Sequence, residues 1–479
     1  MNEPLPNRSD FEQLVAQGYN RVPLIARVPA GVVTPKALVA AAEGRDRVLL
    51  ESTRVSEHDG RYSIVVTEAR HKLTAKGEAY VLDGVQGRGD PMQVLRGLMR
   101  GFKGYRPEGA PLFCGGAIGY FAYECNRYFE ALPRAACDDL AIPDLYLLVA
   151  DRCVVVDHVK NELLLVAAGD DYDACAAGID ELAALVERAA ASPRPPAREG
   201  VEGQLAPFRS NFERPAYEAA VDRVREYVRS GDVYQVNLSQ RLEVPVGSGG
   251  FALYETLSRL NPVHFASYFD LDGFEIVSAS PERLVRLEGG RLATRPIAGT
   301  RRRGTPEEEE RFVRELKTDV KEVSEHAMLV DLERNDLGRV SEYGSVKVTK
   351  LMEIIKYAHV MHIESEVEGR LGPGKDFVDV IGATFPGGTI TGVPKVRTME
   401  VIAELEPHAR GIYTGSIGYV SFAGDMDLNI VIRTILLKEG TAYVNVGGGI
   451  VWDSIPEREY KETLNKARSQ LTALSQHGV

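Results

Sequence analysis

Up to Gly169 the chain alternates short apolar runs with turn residues: RVLLES, YSIVVTEA, AYVLDG, GGAIGYFAYE, DLYLLVADRCVVVDH and ELLLVAAG. Runs of this length, rich in β-branched and aromatic residues, predict antiparallel strands. DELAALVERAAA, which follows them, has helical spacing. AASPRPPAREGVEGQLAP has no apolar period and is dense in Pro, Gly and charge, so it reads as a linker. The division is a lobe over 1–190, a linker over 191–207 and a lobe over 208–479. The second lobe mixes helices (YEAAVDRVREYVRSG, then the region from Thr305 to Gly338) with strands such as ASYFDLDGFEIVSAS and TAYVNVGGGIVWD. No solenoid period recurs. The fold class is therefore α+β, a layered α/β sandwich of large antiparallel sheets packed with helices.

Two helices each carry paired glutamates. Thr305, Pro306 and Glu308 predict a helix start with a capping box, and Phe312, Leu316, Val320, Val323 and Ala327 continue it at helical spacing. Glu322 and Glu325 share a face of that helix. Near the end of the sequence Ser454 and Glu457 bracket Pro456 as a second capping box, and Tyr460, Leu464, Ala467, Leu471 and Leu474 form one stripe. Glu459, Glu462 and Lys466 fall together off that stripe. Such glutamates are either solvated or paired on a hard divalent cation, which takes oxygen ligands; spacing leaves both open.

Composition narrows the partners. The 479 residues are 44% apolar and 26% charged, and 57 basic against 69 acidic residues give a net charge of −12. That balance offers no footprint for nucleic acid or an anionic membrane, so an anionic substrate needs a local cationic site. No secretory leader and no run of about 18 apolar residues is visible, and the expected location is cytoplasmic. Cys114, Cys125, Cys137, Cys153 and Cys175 include no C-x-x-C pair and read as free thiols. None sits in a nucleophile turn, so the chain has no glutaminase cysteine of its own.

Four glycine segments stand out. FPGGTITGVPK (385–395) resembles a phosphate loop, but Val393 and Pro394 occupy the places of its lysine and magnesium-binding hydroxyl. RPIAGTRRRG, RGIYTGSIGY and NVGGGIVWDS are the others. Glycines in strands permit close backbone approach to a ligand, and exposed N–H groups bind carboxylates without a lysine. Arg433, in the apolar stretch LNIVIRT, is expected in a strand, either paired with an acid or facing a cavity. His362 alternates with apolar residues, the pattern of a structural histidine.

Together GDVYQVNLSQ, SASPERLV, PIAGTRRRG, EHAMLVDLERNDLGRV, YAHVMHI, FPGGTITGVPK, GIYTGSIGY, GDMDLNIVIRT and GGGIVWDSIPEREYKETLNKA resemble the chorismate-utilising enzymes, within them anthranilate synthase component I. The resemblance spans nearly the whole chain. It implies a regulatory-type first lobe and a chorismate-binding catalytic second lobe. It implies Mg²⁺ as cofactor, with Glu325 and Glu462 as direct ligands and Glu322 and Glu459 acting through water. Tyr413, Arg433, Gly447, Gly448, Gly449 and Lys466 match the clamp for the enolpyruvyl carboxylate. Gly299 and Thr300 match a further substrate contact, Glu282 the general acid, and His362 with Thr389 its catalytic neighbours.

Two positions separate the family's branches. Gln235 stands where water-adding relatives carry a lysine base, which favours ammonia as nucleophile. Ala298 stands where aminodeoxychorismate synthase usually has a lysine, which favours anthranilate as product, with aminodeoxychorismate synthase component I the alternative. The resemblance implies a separate glutamine amidotransferase subunit as the source of ammonia. It also implies a site for the inhibitor L-tryptophan at Ser52 with His264, Phe265 and Ala266, the last three departing from the family's P-Y-M.

Overall fold

Antiparallel pairing organises the chain into two sheets, each of twelve strands among the described residues. The computed structural model describes residues 3–53, 60–133, 137–191, 204–356 and 360–477. The first sheet runs from Val22–Pro29 through Glu162–Gly169, Arg152–Asp157, Tyr62–Val66 and Arg47–Glu51 to Phe265–Leu271. It continues through Phe274–Ser280, Thr434–Lys438, Thr441–Ile450 and Gln235–Pro245 to Arg209–Ser210, with Gly392–Val393 also pairing Gln235–Pro245. In the second sheet Ser416–Ser421 pairs with Gly116–Phe121, and Arg283–Glu288 lies between Arg291–Thr294 and Met426–Asn429. The expected sandwich of large antiparallel sheets with helices is what forms.

Both sheets draw strands from either side of the segment read as a linker, so the two parts of the chain share their cores. Most of that segment, 192–203, lies outside the described residues. Ile64, Ile118, Tyr120, Phe269 and Ile276 belong to one cluster between the sheets. Leu24, Val154, Leu253 and Leu471 form a second, under helices on the outer face of the first sheet. Leu147, Val285, Val378 and Leu428 form a third against helices on the second. Strands buried on both faces explain why their sequences read as continuous apolar runs.

The run DLYLLVADRCVVVDH is two strands in different sheets. Leu145–Ala150 belongs to the second and Arg152–Asp157 to the first. Asp151 marks the crossing, held by Arg21 at 3.1 Å and Arg70 at 3.0 Å.

Two helices break where periodicity alone would continue them. The capping box at Thr305 and Glu308 forms, but that helix ends as Pro306–Thr318, and a second runs Val320–Gly338. Asp319 sits between them at ψ 114, its carboxylate accepting from the N–H groups of Lys321 and Glu322. Val320, expected on the apolar stripe, is 79% exposed. Near the end of the chain Ile455 is the N-cap of helix Pro456–Lys466, without a side-chain bond. Ser454 instead caps a turn, its hydroxyl accepting from Val451 N–H at 3.1 Å. The stripe continues past a break at Ala467 into Arg468–Ser475, where Leu471 and Leu474 are buried.

Loss of the Asp319 carboxylate removes the cap of the helix that carries Glu322 and Glu325. Asp319→Ala is expected to cost about 1 kcal/mol, read as a lower denaturant midpoint with an unchanged slope.

Candidate active site

Helices Val320–Gly338 and Pro456–Lys466 bring their carboxylates into one electrostatic field. Glu325 is raised above the usual carboxylate range by burial first and then by Glu322 and Glu462, against Lys321 and Lys466. Glu459 is likewise raised by burial and by Glu462, against a hydrogen bond from Ser454. Lys466 Nζ lies 2.8 Å from Glu462 and donates to the Gly447 carbonyl at 3.1 Å. Arg301 holds Glu322 at 3.0 Å. No three of the four carboxylates bring oxygens within 4.8 Å of one another. Carboxylates raised by neighbouring carboxylates, as Glu325 and Glu459 are, form the arrangement a cation relieves.

The three glycines lie inside strand Thr441–Ile450, paired with Ser239, Leu238 and Asn237. Their need for glycine differs by face. A β-carbon on Gly447 would fall 2.4 Å from Asn237 Oδ1 and 2.8 Å from Tyr413 Oη, and one on Gly449 would fall 2.5 Å from Gln235 Nε2. Crowding by the protein's own side chains therefore accounts for these two. Only Gly448 points to the charged cluster, where a β-carbon would sit 3.7 Å from Glu459 and 3.9 Å from Glu462 and Lys466. In FPGGTITGVPK the same holds, since β-carbons at Gly388 and Gly392 would meet Leu332 and the Gln235 carbonyl at 1.9 and 2.0 Å.

Arg433 is not in a strand. It occupies a left-handed turn (φ 54) between Met426–Asn429 and Thr434–Lys438, where its guanidinium donates to the Lys466 carbonyl and feels the charges of Tyr413 and Glu462. Tyr413 is buried, and burial pushes its hydroxyl up to about 12. Gly299, also left-handed (φ 56), faces Glu322, 2.9 Å from where its β-carbon would stand. Thr300 lies opposite His362 in the ladder between Ile297–Arg302 and Val360–Arg370.

Glu282 is buried, and burial raises it to about 7 against a hydrogen bond from Thr389 Oγ1 at 2.9 Å. The glycine segment 385–395 thus supplies a hydrogen-bond partner for the candidate acid. Further along the Val320–Gly338 helix, Glu333 is pushed up to about 8 by burial first and then by Asp336, while Lys395 opposes at 2.5 Å from Asp336. Glu282 contributes to that field as well. At 1.5 Å per residue, Glu333 lies ~12 Å along the axis from Glu325, so one helix serves both groups.

Residues that sequence reasoning passed over complete the walls. Arg410 is buried and donates to both oxygens of Glu406, to the carbonyls of Ile390 and Asn237, and to Thr414. His326 donates to or accepts from Ser365 at 2.6 Å, and burial lowers it to about 4.

The four residues assigned to tryptophan meet elsewhere. Ser52, His264, Phe265 and Ala266 line a cavity of about 280 Å³ that also takes in Glu51, Arg61, Tyr62, Phe113, Arg283, Arg286, Tyr419 and Asp427. Charges of both signs over aromatic walls suit a zwitterion with an apolar side chain. A separate group, Cys137, Asp139 and His408, has metal-like spacing, but Arg241 already binds Asp139 bidentately at 2.9 and 2.6 Å.

The sequence matches the chorismate binding enzyme family over residues 46–472, and the chain belongs to it. It is 44% identical over 429 residues to anthranilate synthase component 1 of Thermus thermophilus, covering 89% of this chain and 91% of that one. It is also 44% identical over 445 residues to aminodeoxychorismate synthase component 1 of Bacillus subtilis, covering 91% and 93%. The crystal structure of anthranilate synthase component I from Streptococcus pneumoniae matches with a TM-score of 0.79 at 34% identity, over 93% of this chain and 99% of that chain. Among the described residues no helix is long and apolar enough to cross a membrane.

The buried Glu282 proton has a consequence for stability. Between the usual carboxylate range and about 7 the native state holds this proton and the unfolded state does not, so stability falls as pH rises through that window. Glu282→Gln is expected to flatten this part of the curve, compared by denaturant unfolding at pH values on either side of the window.

Proposed function

We propose that this chain is the large subunit of an anthranilate synthase, a lyase that converts chorismate and ammonia to anthranilate and pyruvate, the first step of tryptophan biosynthesis. One observation carries the reading: two helices converge their carboxylates on Lys466, with Arg433 and Tyr413 beside them. Chorismate is a dianion, and here cationic side chains stand beside oxygen donors in an otherwise acidic chain.

The donor set fits Mg²⁺, because all four groups offer oxygen and form no closed cage, and Mg²⁺ uses one or two carboxylates and keeps several waters. Glu325 and Glu462 would hold it directly, with Glu322 and Glu459 through water. When bound it would neutralise these carboxylates and present positive charge to the ring carboxylate of chorismate. Arg433, Lys466, Tyr413 and the Gly447–Gly449 backbone hold the enolpyruvyl carboxylate, while Gly299 and Thr300 close the ring side. This is positioning work, which holds the reacting atoms in line.

Ammonia adds at C2 while the C4 hydroxyl leaves, and Glu282 donates the proton that makes the hydroxyl a leaving group. A carboxyl raised to about 7 still carries that proton near neutrality. Thr389 fixes its orientation. The C2 proton is then removed by Glu282, left as a carboxylate by the first step, with His362 assisting, as the C3 oxygen leaves with the enolpyruvyl group, which takes up a proton to become pyruvate. Ala298, with no amine to attack the ring, favours anthranilate over aminodeoxychorismate. The five cysteines are free thiols, in keeping with a cytoplasmic enzyme, and a glutamine amidotransferase subunit supplies the ammonia. L-Tryptophan is the inhibitor that the Ser52 cavity accepts.

Purified chain incubated with chorismate, Mg²⁺ and ammonium is expected to develop anthranilate fluorescence that EDTA abolishes. Glu325→Gln and Glu462→Gln should each lower the rate at least about 100-fold. Chorismate loss without fluorescence, followed by 4-aminobenzoate once aminodeoxychorismate lyase is added, would identify the alternative product. Glutamine should replace ammonium only when the amidotransferase subunit is present. For the cavity, calorimetric titration with millimolar tryptophan should release heat; no heat and no inhibition would remove tryptophan from the account.

A further inference from the structure

The tryptophan cavity and the candidate acid meet at one turn, Ser280–Pro281–Glu282–Arg283. Arg283 opens strand Arg283–Glu288, and its side chain lines the cavity. Its guanidinium is bound to Asp427 at 2.9 and 3.3 Å and lies over the Phe265 ring at 5.1 Å. Asp427 and Phe265 line the same cavity. One residue earlier in the chain, Glu282 turns the other way and accepts from Thr389.

The turn is held from both sides by strands that the cavity touches. Phe265 and Ala266 pair with Ser280 and Ala279 across the hairpin, so the wall that carries the tryptophan residues is hydrogen-bonded to the strand leading into the acid. On the other side Ser280 Oγ donates to the Ile430 carbonyl, and Ile430 N–H donates to the Glu282 carbonyl at 3.0 Å. Ile430 follows strand Met426–Asn429, whose Asp427 and Asn429 face the cavity. The ladder between these strands shifts register between Arg283 and Val285, immediately after the acid. A bulge is where a strand can re-aim a side chain without unpairing the sheet.

We propose that Arg283 is a positioning residue for Glu282, through which an amino acid seated in the cavity slows the reaction at the cleft. The proposal rests on the reading of the cavity as a tryptophan site. An occupant carboxylate competes with Asp427 for the guanidinium, and an occupant ring displaces Phe265 from beneath it. Either change pulls on the residue next to the acid, while Glu282 itself holds no part of the substrate's carboxylates. The effect of Arg283 therefore falls on turnover rather than on chorismate binding.

Two variants test this, each assayed by calorimetry with tryptophan and by anthranilate formation. Arg283→Lys keeps a charge for Asp427 but loses the fork and the stacking. Without tryptophan its kcat is expected to fall about tenfold while the chorismate KM stays within about threefold. Ser280→Ala leaves the cavity lining intact and cuts the bond to Ile430. In both variants tryptophan should still release heat, yet inhibition at saturation should drop from near complete to less than about half, the coupling having been removed. If Arg283→Lys loses the heat of binding, Ser280→Ala decides alone. Full inhibition of Ser280→Ala, or an Arg283→Lys enzyme with unchanged kcat that is fully inhibited, overturns the relay. Absence of heat with the unmodified chain overturns the tryptophan reading and the relay with it.

Discussion

A single buried ion pair holds the walls of the cleft at their spacing. Arg410 and Glu406 are almost wholly buried and 2.7 Å apart, and every remaining donor of the guanidinium reaches a different segment. Ile390 belongs to the glycine loop that orients Glu282, Asn237 to the strand beneath the three glycines, and Thr414 to the turn that carries Tyr413. Glu406 also accepts from the Ser239 N–H at 2.8 Å. An isolated buried charge is costly, but a pair whose remaining groups are all satisfied is strongly destabilised only when one partner is removed, by about 3–5 kcal/mol. The rings of Tyr123 and Tyr413 flank the guanidinium at 4.8 and 5.7 Å and keep water from competing with it.

Around that anchor the candidate site is built partly from unfavourable backbone. Gly299, Thr414 and Arg433 all take left-handed φ values. For the two that carry side chains this costs on the order of 1–3 kcal/mol each, and such positions persist where the surroundings over-determine them. Mutually repelling glutamates add to the same account. At the candidate site, local backbone preference yields to the arrangement of the side chains around it.

Strands such as Leu145–Ala150 and Glu162–Gly169 were legible because a strand buried on both faces leaves an uninterrupted apolar run. The glutamate pairs were legible too, since i and i+3 share a helix face whatever surrounds them. Periodicity hid the breaks at Asp319 and Ala467, because the apolar spacing carries on across both. Asp319 did leave a signature, an acid followed three residues later by Glu322. The purpose of Gly447 and Gly449 was out of reach, because what crowds them is Asn237 and Gln235, more than two hundred positions away. Arg433 read as part of a strand since its neighbours are apolar, whereas in the fold those neighbours are buried in a turn. Nothing in RGIYTG could reveal that Arg410 is enclosed on all sides.

The shared sheets bear on how such a chain can vary. Strand Arg47–Glu51 pairs with Phe265–Leu271, and Gly116–Phe121 with Ser416–Ser421. Separating the earlier part of the chain from the later part would open a long hydrogen-bonding edge in each sheet and bare the apolar layer between them. The catalytic portion is therefore not a transferable module. Recombination between relatives at the proline-rich segment would join halves that must already agree in register along two seams, so the Ser52 cavity and the cleft of this chain are inherited together.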